Sequence, residues 1–82
     1  MKTTSEVLQE VHIPIHRLYY LENCGYVQST KTRVGEKALR SWSENDIQKI
    51  RVIWDFVEQG FRYRVAYEKA IEKIEGANQD GK

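Results

Sequence analysis

This chain is short of most features that mark a catalyst or a membrane protein. Its one cysteine, Cys24, has no partner for a disulfide within the chain, which suits a reducing compartment. No apolar run approaches the about 18 residues that a membrane-spanning helix needs, and the polar N-terminus is not that of a signal peptide. An excess of one charge is missing too. Thirteen Lys and Arg face 12 Asp and Glu, a net charge of +1, so the protein is not polybasic as a whole and any affinity for anions must come from where its cations sit. No phosphate-cradling glycine loop, nucleophile motif or paired-carboxylate arrangement stands in the sequence, so neither an enzyme activity nor a cofactor is expected. His12, His16 and Cys24 have no C-x-x-C pair and no fourth ligand beside them, so no metal site is expected either.

What is present is enough for one small domain. A chain of 82 residues buries about 60–65% of its unfolded surface, which gives a thin core and a stability of a few kcal/mol. The expected division is a single domain over residues 1–76 and a disordered polar tail over 77–82.

The periodicity predicts four helices and one extended excursion. Thr3 followed by Glu6 forms a capping-box pattern, and Val7, Leu8 and Val11 give the apolar side of a first helix over about residues 4–11. Pro14, the only proline, cannot sit inside a helix but can stand at the start of the next one. In that second helix Ile15, Leu18 and either Leu21 or Tyr20 form the inward face, while His16, Arg17 and Tyr19 point outward. Gly25 is its left-handed terminator. Between Tyr26 and Trp42 the helical period disappears, and Thr30, Thr32, Val34, Leu39 and Trp42 favour strands that turn at Gly35-Glu36-Lys37. Ser43 and Asp46 then cap a third helix carrying Ile47, Ile50, Ile53 or Trp54, and Val57. Gly60 ends it. A fourth helix starts near Arg62, with Tyr63, Ala66, Tyr67, Ala70, Ile71 and Ile74 on one stripe. A thin domain needs most of that stripe for its own core, so the isolated chain is expected to be a monomer. The fold class expected is mainly α: a winged helix-turn-helix of about four helices, with a short two-stranded wing between the second and third.

The charges are not spread evenly. Four cations (Lys31, Arg33, Lys37 and Arg40) and one anion (Glu36) lie between Gln28 and Trp42, a local excess of +3. A helix carrying cations and aromatics, followed by a basic hairpin arm, points to double-stranded DNA. Arg40 is the foremost candidate, its guanidinium on a phosphate and its stem packed on Trp42. Lys31, Arg33 and Lys37 would add the salt-sensitive part of the affinity. His16 and Arg17 are placed to reach base edges, Arg17 being able to make a bidentate contact with guanine. Tyr19 could donate to a phosphate, and Tyr20 reads as core packing with its hydroxyl at the rim. Arg62, Tyr63 and Arg64 gather at a helix start, where two cations oppose the dipole unless an anion docks there.

These residues resemble a known family. The first helix, the Ile13-Pro14 turn, Leu18-x-Tyr20-x-Glu22, Gly25, the basic segment closing on Arg40-Ser41-Trp42-Ser43, Asp46-Ile47 and Gly60-Phe61 follow in the order found in the DNA-binding domain of MerR-type transcriptional regulators. The resemblance covers about residues 3–74. Leu18, Tyr20 and Glu22 match the family's second-helix pattern Leu-Arg-Tyr-Tyr-Glu, and Arg40 and Ser43 match its Tyr-Arg-x-Tyr-Ser wing closure, with Leu39 and Trp42 in the aromatic slots. Tyr19 stands where the family has Arg and Leu21 where it has the second Tyr. Arg17, two residues before Tyr19, is turned from it by about 200° on a helix and is not an equivalent replacement. The segment Val34 to Ala38 lengthens the wing. Family members continue into a long dimerisation helix and an effector-binding domain, and no counterpart of either stands in these 82 residues, so no small-molecule effector site is expected in this chain.

The resemblance implies transcription regulation in the bacterial cytoplasm, at the nucleoid, with two copies of the domain on a two-fold-related DNA site and no membrane partner. Two alternatives stay open. One is a protein-interaction module that keeps the fold without binding DNA, using Tyr63, Tyr67 and Trp54. The other is a small accessory factor that bends DNA.

Overall fold

The first helix is set by its caps. In the computed structural model, which describes residues 1–79 and the side chains of residues 1–75, α1 runs over Thr4–Val11. Thr3 caps it reciprocally: its backbone N–H donates to Glu6 Oε1 at 2.9 Å, and the Glu6 N–H donates to Thr3 Oγ1 at 3.3 Å. The helix ends on His12, which adopts a left-handed φ of 62° while its N–H donates to the Leu8 carbonyl. Histidine is one of the few non-glycine residues that enter this region with any frequency.

Pro14 opens α2, Ile15–Asn23, and its carbonyl accepts from the N–H groups of Arg17 and Leu18. Both α2 and α3, Glu44–Glu58, then stop in the same way. Gly25 (φ 82°) donates to the Glu22 carbonyl and Tyr26 to that of Leu21, while Gly60 (φ 108°) donates to Val57 and Phe61 to Phe56. These are paired 5→2 and 6→1 bonds around a residue that glycine alone occupies without strain. At the second of them the Phe56 and Phe61 rings also meet edge to face at 5.6 Å.

The extended segment forms β2, Thr30–Val34, and β3, Lys37–Trp42, joined by a tight turn at Gly35 and Glu36. The expected two-stranded sheet needs correction, because the N-terminus adds a third strand. β1, Lys2–Thr3, pairs antiparallel with the other edge of β3, Lys2 opposite Trp42 and Thr3 opposite Ser41, in the order β1-β3-β2. Two residues are too few to show an alternating pattern, so no sequence signal marked this strand.

α3, Glu44–Glu58, starts from Ser43, whose hydroxyl oxygen accepts from the Asp46 N–H at 3.2 Å. α4, Tyr63–Gln79, packs along it. The helix continues through residues 77–79 of the segment expected to be a disordered tail, and the rest of that segment, 80–82, lies outside the described residues. Among the described residues the fold is thus mainly helical, four helices with a small three-stranded antiparallel sheet.

One apolar cluster joins these elements. Val7, Ile13, Leu18, Leu21, Val27, Trp42, Ile47, Ile50, Ile53, Ala66 and Ala70 are all buried in it. Trp42 is its largest member, and its indole N–H is satisfied by Thr4 Oγ1 at 3.0 Å. Two expected inward residues of α2 face out instead. Ile15 is 47% exposed and Tyr20 45% exposed, whereas Leu18 and Leu21 are fully buried. The helical period assigns a direction but not a depth: Ile15 lies in the first turn of α2, at the end away from Leu21.

Candidate nucleic-acid interface

The hairpin register sorts its cations. Residues directly opposite one another share a face, and the face alternates along each strand. Lys31 lies opposite Arg40 and Arg33 opposite Ala38, so these three positively charged residues share the face of β3 that carries Trp42 into the core. Lys37 lies opposite Val34 and belongs to the other face, with Thr32 and Leu39. Three of the four expected hairpin cations are therefore brought together and one is not.

Arg40 is held in place within the chain. Its Nε donates to Glu22 Oε1 at 3.1 Å, and its guanidinium carbon lies 4.6 Å from the centre of the Tyr19 ring. Glu22 Oε2 accepts a second bond, from the Ser29 hydroxyl. One carboxylate thus ties the end of α2 to the segment before β2 and to β3. The side chains of Arg40 and Glu22 are 34% and 15% exposed, so the carboxylate is the more deeply set of the two. The guanidinium of Arg40 rests on the ring of Tyr19 of α2, and Trp42, two residues further along the same face of β3, is fully buried. Only Nε is engaged in a hydrogen bond with another described residue, so the two terminal NH2 groups can reach an outside acceptor.

The other side of α2 meets the start of α4. The rings of Tyr20 and Tyr63 pack edge to face at 4.8 Å, and the Arg17 guanidinium lies 6.0 Å from the Tyr63 ring centre. Tyr20 therefore serves as a surface contact between helices, where core packing was expected. The Cys24 side chain at the C-cap of α2, foremost by hydrogen bonding, raises the Tyr20 hydroxyl above the ordinary tyrosine value. Arg62 and Arg64 flank Tyr63 and are both exposed, and Arg64 lies 3.7 Å from Glu68 on the same helix. Such an exposed pair contributes little and leaves the arginine accessible.

His16 lies one turn before both Tyr19 and Tyr20 and is exposed. The outward stripe of α2 is thereby bounded by two cationic groups. On the Tyr19 side stand Arg40 and the hairpin, and on the Tyr20 side stand Arg17, Tyr63 and the start of α4. Lys37 falls on the hairpin face away from Arg40. Glu22 stands in the Leu18-x-Tyr20-x-Glu22 pattern but not among the candidate contacts, and Ser29 carries no signal, because the Glu22–Arg40 contact spans 18 residues and no local pattern encodes it.

Among the described residues, no cluster of His, Cys, Asp and Glu could hold a metal ion, and no helix is long and apolar enough to cross a membrane. No protein-family model matches the chain, and no curated protein matches it.

Proposed function

We propose that this chain is a winged helix-turn-helix module of the MerR type that binds double-stranded DNA and serves transcription regulation at the nucleoid. In this reading α2 enters the major groove, with His16 and Arg17 at base edges. The β2–β3 hairpin is the wing and lies along the flanking backbone, and Arg62 and Arg64 fix the register from the other side. The observation that carries it is the pose of Arg40: a guanidinium held by Glu22 and Tyr19, on the same hairpin face as Lys31 and Arg33, beside the outward stripe of α2. Such a surface suits a duplex, whose phosphates flank the groove on both sides of an inserted helix.

The reading as a protein-docking module loses support from the aromatic contacts. Tyr67 stacks on Tyr26 at 4.6 Å and Tyr63 packs on Tyr20, so much of that aromatic surface is used inside the fold. A DNA-bending factor would use the same interface and differ only in what the DNA does. Titration with duplex DNA tests the proposal. Binding is expected at about 50 mM salt, weakening steeply as salt rises, and its absence there at high micromolar protein would contradict it.

A further inference from the structure

From the Glu22–Arg40–Ser29 geometry we infer that Glu22 is a positioning residue for the DNA contact, a carboxylate whose removal weakens the binding of a polyanion. The inference rests on the DNA-binding reading above. A carboxylate beside phosphates ordinarily opposes binding, so electrostatics alone predicts that neutralising Glu22 would tighten it. The geometry gives the opposite sign. Both oxygens of Glu22 are committed inward, Oε1 to the Arg40 Nε–H and Oε2 to the Ser29 hydroxyl, and the side chain is 15% exposed. Its charge is thus spent on Arg40 rather than presented to a ligand.

That spending fixes two things. The planar guanidinium has one Nε–H edge and two terminal NH2 groups, and engagement of the Nε edge by Glu22 leaves the terminal groups to face an outside acceptor. The Tyr19 ring beneath restricts the remaining motion of the plane. Glu22 also bonds to Ser29, one residue before β2, so the same side chain sets the pose of the hairpin against α2. Without it Arg40 keeps its charge but loses its direction, and a flexible arginine loses more side-chain entropy on reaching a phosphate.

The test compares duplex DNA binding by the full chain, by Glu22→Gln, by Ser29→Ala, by Arg40→Ala and by the Glu22→Gln/Arg40→Ala double variant, each first checked by thermal melting. Arg40→Ala is expected to weaken binding about eightfold at 0.1 M salt, the counterion-release value of one phosphate contact. Glu22→Gln is expected to weaken it about threefold, Ser29→Ala in the same direction by less, and Glu22→Gln is expected to add no further loss once Arg40 is gone. Tighter or unchanged binding by both Glu22→Gln and Ser29→Ala would overturn the inference and leave the DNA-binding reading intact. Equal losses from Glu22→Gln with and without Arg40 would overturn it too, by showing an effect that does not pass through Arg40. Failure of the unaltered chain to bind DNA would overturn the reading and the inference together.

Discussion

Lys31 and Arg40 stand directly opposite one another in the β2–β3 ladder, so two like charges occupy neighbouring positions on one hairpin face. Directly opposed like charges destabilise an antiparallel pair by a few tenths of a kcal/mol or more, and Glu22 neutralises only one of them. The arrangement costs stability in the free protein, and an anion docked across both side chains relieves that cost. Lys31→Thr is expected to raise the stability of the free chain by about 0.2–1 kcal/mol while weakening DNA binding. Chemical denaturation and DNA titration of the same variant check the two signs. A variant that loses both stability and affinity would show that Lys31 supports the fold.

The ring of Tyr19 supports Arg40. The Arg40 guanidinium lies over that ring, a partly buried cation–π contact of about 0.5–1 kcal/mol. Tyr19→Phe keeps the ring and is expected to bind DNA nearly as the unaltered chain does, whereas Tyr19→Ala is expected to weaken binding. A loss in Tyr19→Phe equal to that in Tyr19→Ala would instead assign the contribution to the hydroxyl.

The core gives a prediction independent of DNA. Trp42 is fully buried and joins the sheet to α1 through the Thr4 hydroxyl. Trp42→Ala is expected to cost about 3–5 kcal/mol, most of the stability of a domain this small, and to abolish a cooperative melt. The contrast is Ile15→Ala, at an exposed position, which is expected to change the melt little.

The N-terminal strand gives a pH dependence. Glu10 accepts from the Lys2 ammonium at 2.5 Å and from the Arg51 guanidinium, and these bonds, that from Lys2 foremost, hold its carboxyl below the usual carboxylate range. The Thr3 backbone N–H lowers Glu6 likewise, and the hydrogen bond to Glu10 raises Lys2 above its ordinary value. A lowered carboxyl stabilises the fold above its unfolded pKa, and that contribution is lost as pH falls through the folded value. A raised amine stabilises below its unfolded pKa, and that contribution is lost as pH rises through the folded value. Stability is therefore expected to decline at both the acid and the strongly alkaline end, and Glu10→Gln is expected to flatten part of each decline in melts taken across pH. A Glu10→Gln profile running parallel to that of the unaltered chain at every pH would contradict this.

Features decided by neighbouring residues were legible in the sequence. Thr3 with Glu6, Ser43 with Asp46, Pro14 at the start of α2, and Gly25 and Gly60 just past helix ends each act within a few residues, and the structure puts each where the pattern does. Features decided by distant packing were not. The helical period turns Ile15 inward but carries no information about how far the core extends, and β1 leaves no local signal because two residues form a strand only when β3 is there to pair with them. At the candidate interface the cations of the hairpin were legible as residues, but their division between two faces follows from a register that places Lys31 with Arg40 and Lys37 with Val34. The Glu22 and Tyr19 contacts that aim Arg40 join α2 to β3, and no local spacing encodes them.

On the proposed DNA-binding reading, Arg40 presents its terminal NH2 groups to a phosphate. The most direct test is the slope of log affinity against log salt for duplex DNA, measured for the unaltered chain and for Arg40→Ala. The slope is expected to be shallower by about 1 in the variant, with weaker binding to every sequence tried. Identical slopes and affinities for the two proteins would contradict it.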